Sequence, residues 1–161
     1  LEPSGNPGLQ LRLEAAIFEL ERFRALPESA CPRVCAAFGK AVRGLAERLG
    51  VSLVTPALAT DGLHHATLAT LDLANLPGKP DLATAQRWCR VLAARGLRLG
   101  QPVRCVRRPD GEWAGTLRLS LSMPLITEFA ELDPASLEAR LGRDMSLIAD
   151  VLEAAQRSTA A

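Results

Sequence analysis

The chain lacks any apolar run approaching the roughly 20 residues that a membrane-spanning helix needs. Its first seven residues, Leu1–Pro7, have neither the basic start nor the apolar core of a signal peptide, so the cytoplasm is the expected location. Leu1 stands where a reading frame would begin with methionine, which is expected of a processed chain or of a piece of a longer one. The lack of a long apolar run predicts a protein without membrane-spanning helices.

The common catalytic fingerprints are also missing. The sequence contains no phosphate loop of the form G-x-x-x-x-G-K, no nucleophile elbow and no dinucleotide-binding glycine pattern. His64 and His65 resemble the double histidine of condensation-type acyltransferases, but the aspartate which that motif needs does not follow them in Ala66–Ala69. We therefore assign no catalytic residue, and a complete active site is not expected in this chain alone.

The four cysteines do not form a metal-binding or disulfide pattern. Cys31 and Cys35 lie four residues apart in a predicted helix, where their side chains can meet. A zinc site would need His64 and His65 as its other ligands, but adjacent residues of a strand point to opposite faces. We expect no metal, and we interpret the cysteines as small buried apolar residues.

The residues that are present are those of an ordinary globular protein. Of 161 residues, 48% are hydrophobic and 23% charged, which is enough for one domain with a core. The net charge of +1 gives no reason to expect a nucleic acid as partner. The segment from Lys79 to Arg118 holds nine basic and three acidic residues. This local excess can attract an anion or a nucleic acid, or it can reflect the arginine-rich composition of the whole chain.

Hydrophobic spacing divides the chain into two lead-in helices within residues 1–50 and a small sheet with helices within residues 51–161. The first helix runs from Leu9 to Pro27, and the second from Ser29 to Gly50. The predicted elements that follow are strands at Val51–Thr55 and His64–Leu73, a helix at Asp81–Gly96, a hairpin with arms at Leu97–Arg107 and Trp113–Met123, and a helix over residues 134–156. We expect Asp81 and Asp133 to cap the starts of the last two helices, and Gly50 to cap the end of the second.

This order predicts a single α+β domain over residues 1–161, with a small, mostly antiparallel sheet of three to five strands and helices packed on one face. The last helix has the most regular apolar stripe, so we expect it to contribute strongly to the core. The stripe consists of Leu137, Leu141, Met145, Ile148, Leu152 and Ala155.

One charged residue stands out because it lies in an otherwise uncharged strand. Arg118 is the only charged side chain in Gly115–Ile126, which we predict to be extended. Strict alternation places Thr116, Arg118, Ser120 and Ser122 on one face and the leucines between them on the other. A charge at such a position is costly unless it has a partner or faces a cleft. Arg118 is therefore a candidate ligand-binding residue; the alternatives are an ion pair with Glu128 or another carboxylate, or exposure on an open sheet face.

The segment Thr116–Ser120, with the sequence TLRLS, resembles the substrate-binding strand of class V aminotransferases. The chain around it is similar to the C-terminal small domain of fold-type I pyridoxal-phosphate enzymes. Ala36–Gly50 resembles the helix that leads into that domain, Val51–Pro56 its first strand, and Ala66–Leu73 and Asp81–Gly96 the strand and helix that follow. This resemblance implies that Arg118 binds the carboxylate of an amino-acid substrate.

The same resemblance implies that the cofactor lysine belongs to a large domain that this sequence does not contain, since Lys40 and Lys79 lie at the wrong places. Pyridoxal phosphate is then expected only with that large domain, and no cofactor is expected for this chain alone. Expected partners are a small anion or amino acid, the missing large domain, or a second copy of the chain. The alternative is a non-catalytic α+β module for dimerisation or for binding a small anion or a partner protein, with Arg104, Arg107 and Arg108 as its contact surface.

Overall fold

The computed structural model describes residues 7–54 and 67–159. Within these ranges five helices and three strands follow one another along the chain. They are α1 (Pro7–Arg24), α2 (Ala30–Leu49), β1 (Ser52–Leu53), β2 (Leu68–Asp72), α3 (Leu82–Ala94), β3 (Thr116–Ser120), α4 (Met123–Ala130) and α5 (Pro134–Thr159).

The three strands form an antiparallel sheet in the order β1-β2-β3. Across the β2–β3 pair, Leu71 lies opposite Leu117 and Ala69 opposite Leu119. These four side chains are at most 3% exposed, so one face of the sheet is entirely apolar. Because side chains alternate along a strand, the residues between them belong to the other face.

Helices cover the apolar face of the sheet. α2 packs against β2, α3 packs against β3, and α5 packs against both α2 and α3. This arrangement confirms the predicted α+β architecture, with a small antiparallel sheet and helices on one face. α5 supplies four nearly inaccessible residues of its predicted stripe to the shared core: Leu137, Leu141, Ile148 and Leu152.

Helix ends follow the predicted capping residues. The Asp81 carboxylate accepts a hydrogen bond from the Thr84 N–H at 2.7 Å, which satisfies a free donor at the start of α3. The Asp133 carboxylate accepts from the Ala135 and Ser136 N–H groups at 3.0 Å and serves the same purpose for α5. Gly50 ends α2 at φ 65°, a left-handed conformation that glycine adopts without steric cost.

The predicted strand Gly115–Ile126 is wrong over its second half. β3 ends at Ser120, and Met123–Ala130 forms α4. Pro124 lies in the first turn of this helix, where its missing N–H would have no partner anyway. Ser122 precedes the helix instead of extending the strand, so it does not share a strand face with Arg118.

The predicted hairpin forms only in part: its turn is closed by the Arg108 N–H, which donates to the Glu112 carbonyl at 2.9 Å, but its first arm, Leu97–Arg107, forms no regular strand. Only two isolated backbone pairings connect this segment to the second arm, Gly100 with Arg118 and Arg107 with Trp113. Pro102 cannot donate a ladder hydrogen bond, and the Val103 backbone binds the Thr116 side chain instead of another strand.

Within the described residues, the predicted strand His64–Leu73 contains β2, and the predicted strand Val51–Thr55 contains β1. His64 and His65 themselves lie outside the described residues. Among the helices of residues 7–54 and 67–159, none is long and apolar enough to cross a bilayer.

The burial of α5 gives a direct test of the fold. Leu141 is 3% exposed and lies in the core, so Leu141→Ala removes packing and leaves a cavity. We expect it to lower the free energy of unfolding by about 2–4 kcal/mol, measured by urea denaturation. Val91→Ala is the matched control, since Val91 on α3 is 42% exposed. Equal effects of the two substitutions would show that the α5 stripe is not buried.

Candidate functional site

The polar face of the sheet carries the residue that the sequence singles out. Arg118 is paired with Thr70 of β2, while Thr116 and Ser120 lie two residues away on either side along β3. We call this set of four residues the Arg118 face. Its alternation with the buried Leu117 and Leu119 agrees with the expectation for residues 116–120. Asp72, which pairs with Thr116, lies on the same side of the sheet, so a carboxylate adjoins the one cation and three hydroxyl groups of this face.

The Arg118 side chain is half-buried. Among the described residues, its guanidinium has no carboxylate partner within ion-pair distance and donates no side-chain hydrogen bond. The expected alternative partner, Glu128, lies 3.6 Å from Arg140 instead. Arg118 thus has donors to offer a ligand from a position with reduced access to water.

Gly100 lets a second chain segment approach Arg118 closely. The Gly100 N–H donates to the Arg118 carbonyl oxygen at 2.9 Å. A Cβ at position 100 would lie 3.1 Å from the Arg118 Cβ and 3.4 Å from its carbonyl oxygen. These contacts are tighter than usual for a Cβ, so a larger residue at position 100 would require a small shift of this segment or of β3. Gly100 therefore limits how the arginine stem is positioned.

Thr116 holds the chain that follows Gly100 through hydrogen bonds to Val103. It is fully buried, and its hydroxyl accepts from the Val103 N–H at 2.9 Å and donates to the Val103 carbonyl at 3.0 Å. One side chain thereby satisfies both polar groups of a residue that has no strand partner. The segment 100–103 is held beside β3 by this threonine and by Gly100.

The electrostatics of the Arg118 face extend to Cys105 and Asp72. Desolvation raises the pKa of the Cys105 thiol, the Asp72 carboxylate raises this pKa further, and the positive charge of Arg118 lowers it. Among the described residues Asp72 forms no ion pair with Arg118, and its carboxylate accepts a hydrogen bond from the Ala74 N–H at 2.8 Å. Cys105 is exposed, so it is not one of the small buried cysteines that the sequence led us to expect.

The other cysteines agree better with that expectation. Cys35 is buried, and its sulfur lies 4.0 Å from that of Cys31, so the predicted meeting of the two side chains is confirmed. Burial, followed by the influence of Cys31, raises the pKa of Cys35 to about 11, which keeps it a protonated thiol at neutral pH. Within residues 7–54 and 67–159, no three or more metal-ligating side chains cluster together.

Neither lysine belongs to the Arg118 face. Lys40 on α2 is exposed and pairs with Glu138 of α5 at 2.9 Å, within the helical layer. Lys79 lies in the turn before α3 at φ 44°. Within the described residues, the Arg118 face therefore has a cation but no lysine amine.

An apolar cleft adjoins the far end of β3. It has a volume of about 290 Å³, and Ser120 of the Arg118 face lies at its edge. Its charged residues include Arg140 and Asp144, whose side chains lie 3.7 Å apart. Burial raises the pKa of the Asp144 carboxyl, and the two neighbouring arginines oppose this rise.

The sequence predicted Arg118 and its polar neighbours on β3 but missed the residues from elsewhere in the chain. Thr70 and Gly100 join the site through strand register and through one isolated backbone pairing. Neither belongs to a motif, and long-range register is not readable from local spacing. The only usable signal was Gly100-Gln101-Pro102, which interrupts the predicted strand.

Comparison of the chain with protein-family models, curated proteins and solved structures found no match.

The two hydrogen bonds of Thr116 are testable. Thr116→Val keeps the shape of the side chain but leaves the Val103 N–H without an acceptor and the Val103 carbonyl with the Cys105 N–H, at 3.1 Å, as its remaining donor. We expect a loss of about 1–3 kcal/mol in the free energy of unfolding, measured by chemical denaturation. Ser120→Ala, at an exposed position of the same strand, should change stability by less than about 0.5 kcal/mol. A neutral Thr116→Val would contradict the role given to this hydroxyl.

Proposed function

We propose that this chain is the C-terminal domain, or a fragment, of a pyridoxal-phosphate-dependent enzyme that acts on an amino acid, and that Arg118 binds the substrate carboxylate. The observation that carries this proposal is the half-buried residue Arg118, whose guanidinium has no partner among the described residues. A planar guanidinium binds a carboxylate through two parallel hydrogen bonds. Reduced contact with water strengthens such a pair.

The element order supports the resemblance on which the proposal rests. α2 leads into β1, β2 and α3 are followed by β3 with its arginine, and a long helix ends the described chain. Two features depart from the expected pattern: the segment before β3 is irregular, and α4 separates β3 from the last helix. The resemblance therefore extends over the core elements and not over the connections around Arg118.

The residues of this chain do not fit the cofactor itself. Lys40 is engaged with Glu138, and Lys79 lies in a turn before α3, so neither presents an amine beside Arg118. In this proposal the cofactor belongs to a large domain, and this chain contributes substrate binding alone. The role of Arg118 is to orient the carboxylate, which helps to hold the reacting part of the substrate in position.

The first test asks whether a large domain exists. An upstream extension of the reading frame that encodes a lysine after a strand of the pyridoxal type supports the proposal. A frame that begins near Leu1, with no neighbouring gene for such a domain, contradicts it. This observation needs only the genomic sequence around the coding region.

The substrate role of Arg118 is tested in the enzyme that contains the large domain. Arg118→Ala should raise KM for the amino acid about 100-fold, since a charge-assisted bidentate pair contributes roughly 3 kcal/mol. Arg118→Lys should recover part of this loss, because it keeps the charge but not the two parallel donors. The cofactor absorbance should be unchanged in both variants.

Arg104→Ala is the matched control, because Arg104 is an exposed arginine of the segment that precedes β3. Its KM should stay close to that of the unmodified enzyme. Unchanged kinetics in Arg118→Ala would remove Arg118 as the substrate residue. A parallel loss of cofactor absorbance would instead indicate a structural role.

The isolated chain should not bind the cofactor covalently. The purified 161-residue chain is mixed with pyridoxal phosphate, and its absorbance spectrum is compared with that of a double variant, Lys40→Arg with Lys79→Arg, which has no lysine side chain. The absorbance in the lysine aldimine band should be the same for both proteins. A band that requires one of these lysines would show that the chain holds the cofactor by itself. That result would refute the division of roles proposed above.

The second candidate function is a non-catalytic module for dimerisation or for binding an anion or partner protein. It is favoured by exposed apolar side chains on α1, where Ile17 is 48% and Phe18 59% exposed. Two of the three arginines expected to form the contact surface of such a module already make hydrogen bonds within the chain. Arg107 donates to the Gly111 carbonyl at 2.9 Å, and Arg108 donates to the Lys79 carbonyl at 2.6 Å, whereas Arg104 is exposed.

A further inference from the structure

A second basic site lies at the start of α3, away from the Arg118 face. It is a pocket of about 320 Å³ between the turn that precedes α3, the first turns of α3 and the end of α5. None of its lining residues belongs to the Arg118 face. The polar side chains that line it are those of Lys79, Asp81, Thr84, Arg87, Arg108 and Gln156.

Positive charge dominates this pocket. Lys79, Arg87 and Arg108 contribute three cations, and Asp81 is the one carboxylate among its lining residues. Hydrogen bonds from Thr84 lower the pKa of Asp81, so this carboxylate is ionised and occupied with the cap of α3. The lining therefore carries three positive charges against one negative charge, and Asp110, which pairs with Arg108 from outside the pocket at 3.5 Å, still leaves a positive excess that favours an anion.

The cations are held in place by backbone geometry and hydrogen bonds. Gly78 and Lys79 both have positive φ, at 78° and 44°, so the turn there is tight and the lysine departs from the usual backbone conformation. The Arg108 Nη1 donates to the Lys79 carbonyl at 2.6 Å, which connects the two residues across the pocket wall. The Arg87 Nη2 donates to the Thr84 hydroxyl at 2.7 Å.

Two donors at this pocket have no acceptor. The Arg108 Nε and the Gln156 Nε2 are shielded from solvent, and neither makes a hydrogen bond within the described residues. The nearest carboxylate oxygen to the Arg108 Nε is the Asp110 Oδ1 at 3.5 Å, an ion pair without hydrogen-bond geometry. Shielded donors without acceptors are unfavourable, and a ligand oxygen that reaches either atom would satisfy it.

We propose that this pocket binds a phosphate group, either as the free ion or as a small phosphate monoester. A carboxylate carries one charge and two oxygens, whereas a phosphate carries close to two charges and three or more oxygens at neutral pH. Three cations and two unused donors suit the second kind of anion. Arginine forks bind phosphate oxygens in pairs, and lysine adds a point charge.

The test is calorimetric titration of the intact chain with inorganic phosphate, and separately with glycerol phosphate as the monoester. Arg87→Gln should weaken binding of phosphate about tenfold, the effect of losing one charge-assisted hydrogen bond. Arg90→Gln is the matched control, since Arg90 is another exposed arginine of α3 but does not line this pocket. Its affinity should stay within about twofold of the unmodified chain.

Gln156→Leu provides a second variant that leaves the charge unchanged, and it should also weaken binding. Circular dichroism of each variant separates a loss of binding from a loss of folding. Tighter binding of glycerol phosphate than of inorganic phosphate would identify the monoester as the ligand class, and the reverse order would identify the free ion. Either order supports the pocket if Arg87→Gln weakens binding and Arg90→Gln does not.

Two results would overturn the proposal. One is the absence of measurable binding of either phosphate at millimolar concentration. The other is an equal weakening by Arg87→Gln and Arg90→Gln, which would indicate general attraction by a basic surface. Arg118→Ala should leave phosphate binding unchanged, so that failure of this proposal and failure of the substrate role of Arg118 are distinguishable.

Discussion

The antiparallel pairing of β2 with β3 is the constraint on which the rest of the structure depends. It places Leu71 opposite Leu117 and Ala69 opposite Leu119, and these side chains form the apolar face of the sheet, against which α2 and α3 pack. A shift of the register by one residue would turn the leucines to the polar face and Arg118 into the core. Burial of the leucines is strongly favourable and burial of an unpaired cation strongly unfavourable, so both sides of the sheet specify the same register.

Close backbone approach is the second constraint, and two glycines permit it. Gly115 donates to the Pro80 carbonyl at 2.7 Å, and a Cβ there would lie 2.8 Å from the Asp81 carbonyl oxygen. The start of β3 is thereby joined to the start of α3. Gly100 joins the irregular segment to the middle of β3 at Arg118. Both candidate sites are thus positioned by contacts with the same short strand, although they share no residue.

The sequence predicted those parts of the fold that depend on local patterns. The apolar stripe of α5, the caps Asp81 and Asp133 and the polar alternation around Arg118 are all set by residues a few positions apart, and the structure agrees with them. α4 was not predicted because Met123–Ile126 is apolar enough to continue a strand. Pro124 is a signal for a helix start, because proline is favoured in the first turn of a helix. The first hairpin arm was overpredicted because Thr116, far along the chain, supplies the partner of Val103.

The same distinction explains what the sequence revealed of the candidate sites. Alternation alone places Arg118 on the polar face, but only the fold shows that Glu128 is engaged with Arg140 and that Gly100 packs at the base of Arg118. The cations of the second pocket are 29 residues apart at their extremes, from Lys79 to Arg108, and Gln156 comes from the last helix. No local motif contains such a set. The sequence shows an excess of basic residues between Lys79 and Arg118. In the fold, Arg118 lies on the sheet, whereas Lys79, Arg87 and Arg108 line the pocket beside α3. A lone cation without a partner suits one carboxylate, and a cluster with unused donors suits a more highly charged anion, so the two sites differ in the ligand that each can bind.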